Sequence, residues 1–114
     1  MRILITTCLL ALSFTGNSQT AGILLARTYA KDALIKIHDR ENIKDINVEI
    51  IDWNYNSSTD RFYVYFKATF KSWDMIMWFS NNVKTQLKCN LDGTAAQIKY
   101  DGMFESWQDI GSIR

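Results

Sequence analysis

The chain has 114 residues, with 13 Lys and Arg against 12 Asp and Glu, 13% aromatic residues, no proline and two cysteines. One domain with one core is all this length supports, so a two-domain enzyme is excluded. The near balance of charge nominates no nucleic-acid partner.

The first eighteen residues read as a secretory leader. Arg2 supplies a cationic start, Ile3 to Phe14 an apolar run, and Gly16 and Ser18 the small residues that a signal peptidase requires. Cleavage after Ser18 leaves Gln19 at the new N-terminus, a formally neutral chain, and a secreted or periplasmic destination. The run is shorter than the roughly 20 residues of a bilayer span, so no membrane span is expected after cleavage. A lipidated cysteine at Cys8 is disfavoured because Thr7 precedes it and little apolar chain lies before it. Residues 19–114 then form a single α+β domain in which Cys89 has no intramolecular disulfide partner.

From residue 20 to 38, Ile23, Ala26, Ala30, Leu34 and Ile37 recur at helical spacing with Arg27, Lys31, Asp32 and Lys36 facing away. This predicts an amphipathic helix with Thr20 as N-cap. Beyond the polar connection 39–42 the period changes to two. In a first strand, 46–55, the apolar positions switch parity between Ile50 and Ile51, which predicts a β-bulge there. The turn cluster 56–60, which includes the Asn56-Ser57-Ser58 glycosylation acceptor, leads to a second strand. There Phe62, Val64, Phe66, Ala68 and Phe70 face the core, and Tyr63, Tyr65, Lys67, Thr69 and Lys71 face water.

Residues 75–79, Met-Ile-Met-Trp-Phe, are apolar on both parities and read as a covered strand or a short buried helix, brevity favouring the strand. Asn81-Asn82 is then a turn, followed by a strand with Val83, Thr85, Leu87, Cys89 and Leu91 on one side. In the alternative, 75–91 is one long strand. Asp92-Gly93 signals a hairpin into a last strand whose inner residues are Ala96, Ile98 and Tyr100, and Met103, Phe104, Trp107 and Ile110 have the spacing of a short closing helix ended by Gly111.

The predicted fold is therefore an N-terminal helix packed on an antiparallel meander of about four strands. In topology this resembles the cystatin-like architecture. The Gln-x-Val-x-Gly wedge and the later Pro-Trp pair of that family are absent, so the resemblance implies neither protease inhibition nor any of the family's binding residues.

Catalytic signatures are missing: the chain has no Gly-x-Ser-x-Gly, phosphate loop or His-Glu-x-x-His, and the acids Glu49 and Asp52 have no distinguishing environment. His38, read as a solvated helix-end imidazole favoured by the helix dipole, and Cys89, read as a buried inert thiol, do not suffice for a metal site. No cofactor is implied. The feature above background is the outer sheet face. Tyr63, Tyr65, Lys67 and Lys71 on one strand and Lys84 and Lys88 on another, with Trp73 at the turn, make a basic, tyrosine-bearing surface. Between residues 61 and 99 six basic residues stand against Asp74 and Asp92. Such a face suits an acidic protein or envelope polymer, as in inhibitor-like or immunity-like interaction proteins. The alternative is an apolar ligand, or a minimal active site, in a cavity between helix and curved sheet lined by Met75, Met77, Trp78 and Trp107. An exposed edge strand or a free Cys89 would each support a dimer.

Overall fold

A computed structural model describes residues 16–101 and 106–113; residues 1–15 of the leader expected over 1–18, and the helix candidates Met103 and Phe104, lie outside them. Helix α1 (Gly16–His38) is followed by a short 3-10 turn (Arg40–Asn42) and five strands, β1 (Ile43–Asn56), β2 (Arg61–Trp73), β3 (Trp78–Cys89), β4 (Ala96–Tyr100) and β5 (Gln108–Gly111). The strands form one antiparallel sheet in the order of the chain, β1-β2-β3-β4-β5, with α1 on one face. The fold is α+β in two layers.

The helix forms where apolar spacing predicts it, but it begins earlier than Thr20, which lies inside it rather than capping it. Ala26, Ala30, Ala33 and Leu34 are fully buried and Tyr29 nearly so. Three alanines on one stripe let the helix approach the sheet closely. Gly22 carries the same requirement to its limit, because a Cβ there would fall inside the indole of Trp53 on β1. Trp53 in turn tilts against Phe62, and Tyr29 meets Phe62 edge-on, both at ring-centroid distances of 6.0 Å. The inner face of the sheet supplies Phe62, Val64, Phe66, Ala68, Phe70, Leu87, Cys89, Ala96 and Ile98, all buried.

The predicted bulge is present, since Ile50 pairs with Phe66 and Asp52 with Tyr65, leaving Ile51 as the extra residue. A second bulge lies between Lys44 and Asn47, where Asp45 adopts a left-handed φ of 56°. The two bulges bring Ile43, Ile46, Val48, Ile50, Trp53 and Tyr55 to the core side.

Three expectations fail in the second half. Residues 75–79 are neither a covered strand nor a buried helix. Asp74 to Met77 is the tight turn joining β2 to β3, with Met75 and Ile76 at its apex. The Asp74 side chain drives it by accepting hydrogen bonds from the backbone N–H groups of Ile76 and Met77, both at 3.2 Å. Asn81 and Asn82 are therefore inside β3, opposite Phe70 and Thr69, and the Asn81 side-chain amide donates to Ser72 Oγ at 2.9 Å. β3 comes close to the long-strand alternative. Finally, residues 108–111 form a fifth strand instead of a closing helix, paired with β4, and the Gln97 amide donates to Asp109 at 2.7 Å across the new pair.

Candidate functional site

On the outer face, β2 and β3 run in register from Phe62–Cys89 to Trp73–Trp78, which places Tyr63 beside Lys88, Tyr65 beside Gln86, and Lys67 beside Lys84. Gln97 and Lys99 on β4 extend the first two rows. Tyr63 is 42% exposed, and Lys71 and Lys84 are exposed, while Tyr65, Lys67 and Lys88 are partly covered. These residues share one surface.

The basic character read from residues 61–99 does not survive assembly of the sheet. Glu49 and Asp52 on β1 lie opposite Lys67 and Tyr65, Asp109 pairs with Gln97, and Asp45 lies 3.7 Å from Lys71. Asp101 accepts from the Tyr65 hydroxyl at 2.8 Å and from the Gln86 amide at 3.3 Å. The hydrogen bond to that carboxylate raises the Tyr65 pKa. The window 61–99 simply left out the flanking strands that carry the acids. The outer face is a mixed-charge surface.

Trp107 belongs to it. Lys88 Nζ sits 4.2 Å from the centre of the Trp107 ring, and Trp107 borders a shallow hollow of about 80 Å³ with Tyr63, Tyr65, Gln86 and Asp52.

The alternative cavity is not assembled. Trp107 stands on the outer face, Met75 and Met77 at the hairpin end, and Trp78 on the outer side of β3. Between helix and sheet the space is filled by the protein's own side chains, Ala26, Ala30, Leu34, Phe66 and Leu87 all being at 0% exposure. Cys89 is fully buried, and desolvation pushes its thiol to about 11, so it stays protonated and inert. His38 is not a solvated cation. Its ring lies 5.1 Å from that of Phe70, its Nε2 is buried without a hydrogen-bond partner, and burial lowers its pKa against the opposing pull of Asp39. Among the described residues no cluster of three or more His, Cys, Asp or Glu could hold a metal ion, and no helix is long and apolar enough to cross a membrane.

What the sequence did not single out as a unit is the hairpin end. Met75 is 87% exposed, Ile76 81%, Met77 52%, Phe79 45% and Trp73 41%. Immediately behind this apolar cap Trp73 and Trp78 pair across the strands, ring centroids 5.5 Å apart, and Lys44 Nζ lies 4.2 Å over the Trp78 ring. Met75 also holds a φ of 85°, a left-handed conformation that glycine adopts freely and a long side chain does not. Three apolar side chains thus stand in water on a turn whose apex residue is itself strained, with Trp73 exposed on one face of the hairpin behind it and Phe79 on the other. The sequence signal at 75–79 is apolar character on both parities, which predicts burial because exposure at a turn is the rarer outcome.

No family model, curated protein or solved structure matches the chain.

Proposed function

We propose that the protein is a small non-catalytic interaction protein, acting outside the cytoplasm, that docks by the end of its β2–β3 hairpin into an apolar pocket of a partner protein. The supporting observation is the exposure of Trp73, Met75, Ile76, Met77 and Phe79 together at one end of the sheet. Exposed apolar clusters lower solubility, and monomeric proteins carry large ones mainly where something binds. Rigid aromatic anchors with a flexible methionine-rich cap suit insertion into a pocket, since methionine adapts its shape to irregular walls. Lys44 and Lys71 with Asp45 and Asp74 give the rim both signs of charge, which fits a protein rim better than a uniformly anionic surface. The destination follows from the leader reading of residues 1–18, and cleavage after Ser18 would retain every buried helix residue from Ala26 onward.

A second reading places the contact on the outer face, at Tyr63, Tyr65, Lys67, Lys84 and Lys88. It is favoured by the Lys88–Trp107 pair beside the exposed Tyr63. Affinity capture from the native envelope or secreted fraction separates the two. Wild type is run beside Ile76→Asp and beside Tyr63→Ala/Lys67→Ala, with captured proteins identified by mass spectrometry. A protein retained by wild type and by the face variant, and lost with Ile76→Asp, is the expected result. Loss only with the face variant transfers the site to the outer face. Equal capture by all three, or lipid in place of protein, overturns the proposal.

A further inference from the structure

The sheet is open, and its first strand is an edge of unusual length. β1 runs for 14 residues and pairs only with β2. Its side chains toward α1 are apolar, Ile46, Val48 and Ile50 being half-buried against the core, Ile51 at the bulge is 46% exposed, and those on the outer face, Lys44, Asn47, Glu49 and Asp52, are polar and exposed. An open groove of about 420 Å³ runs along it between Ile23 and Arg27 of α1 and residues 48–53. An unpaired edge can template pairing with another chain, and the charges and bulges it carries exclude every partner that does not match them.

The pattern of β1 indicates what covers it. Reflection about Val48 exchanges Ile43 with Trp53, Lys44 with Asp52, Ile46 with Ile50 and Asn47 with Glu49, and each exchange keeps a core-side residue on the core side and an outer residue outside. The bulges obey the same reflection, the one at 45–46 mapping onto the one at 50–51. A strand with this symmetry is complementary to a reversed copy of itself.

We propose that β1 pairs antiparallel with β1 of a second copy about a twofold axis at Val48, fusing the two sheets. In this register Ile46 meets Ile50 of the other copy, Val48 meets Val48, and Lys44 meets Asp52 twice, once on each side of the axis. Cross-strand apolar and opposite-charge pairs of this kind stabilise a sheet, and like charges opposed destabilise it. The neighbouring registers are rejected on that ground. A shift by two residues one way sets Glu49 against Glu49, and the other way sets Asp45 against Glu49. Shifts by one turn the core side of one strand toward the outer side of the other. Between the bulges, residues 47–49 form a regular run about the axis that can carry the ladder, and bulges of both copies coincide at its ends. Both hairpin ends stay free and point in opposite directions.

Sedimentation equilibrium of the purified protein, in reductant, tests the pairing through a charge swap at Lys44 and Asp52, both exposed in one copy. Wild type is expected to dimerise. Lys44→Glu and Asp52→Lys, each still folded by circular dichroism, should each weaken the dimer at least about tenfold by opposing like charges twice per dimer. The double variant should recover wild-type association. A monomeric wild type overturns the proposal, as do single variants that dimerise normally or a double variant that fails to recover.

Discussion

The two ends of this sheet are built from different materials. At the end where β1 turns into β2, Asp60 accepts from the Tyr55 hydroxyl at 2.8 Å and from the Leu91 N–H at 3.2 Å. Arg61 donates to the Asn90 side chain at 3.1 Å and to the Ala95 carbonyl at 3.0 Å. The Tyr29 hydroxyl reaches from α1 to the Leu91 carbonyl at 2.6 Å, and Asp92 holds its own turn by accepting from the Thr94 hydroxyl and N–H, which lowers its pKa. Helix and two turns are thereby tied together over the aromatic core around Phe62. The opposite end is held by the Asp74 turn, the Trp73–Trp78 ring pair and the Asn81–Ser72 hydrogen bond, and beyond them apolar side chains stand in water. One end is tied into the fold by hydrogen bonds and the other leaves apolar side chains exposed.

The contrast is broken most severely by removing the ring at the tied end. Phe62→Ala is expected to destabilise the protein by about 3–5 kcal/mol, while Ile76→Ser at the free end should change stability by less than about 0.5 kcal/mol. Urea denaturation compares the two. Next in size is the network itself. Asp60→Ala removes the acceptor of the Tyr55 hydroxyl and of the Leu91 N–H, both within reach of water, and should cost about 0.5–1.5 kcal/mol in the same assay.

Met75→Gly sharpens the comparison from the other side, because glycine accepts the left-handed backbone at the apex. It is expected to raise stability by up to about 1 kcal/mol, a gain set by relief of φ strain less the extra freedom of glycine in the unfolded chain. The methionine is then a residue that costs stability while standing 87% exposed. The smallest effect is at His38. Its folded pKa lies below the ordinary 6.5, so between the two values the unfolded chain binds the proton more readily. Stability should be level above about pH 6.5 and decline as pH falls below it, and His38→Gln should flatten that decline in a pH series of urea midpoints.

Much of the tied end was legible in the sequence because strict alternation from Phe62 to Phe70 admits one strand and one buried face. The parity switch at Ile50 and Ile51 likewise has one geometric resolution, the bulge. The free end was not legible, for physical reasons. Asn81-Asn82 has the composition of a turn, but Asp74 capped an earlier one and the Trp73–Trp78 pair closed it, so the hairpin forms where composition disfavours it. The outer face was legible as a set of residues and misread as a charge, since Glu49, Asp52, Asp101 and Asp109 come from segments that only the strand order brings alongside. Burial of His38 was equally hidden, because it depends on Phe70 arriving beneath the end of α1.

The division of labour between the two ends is tested most directly on Ile76→Asp, with urea midpoint and partner capture measured on the same preparation. An unchanged midpoint with capture abolished is the predicted result. A lowered midpoint, or capture equal to wild type, would contradict it.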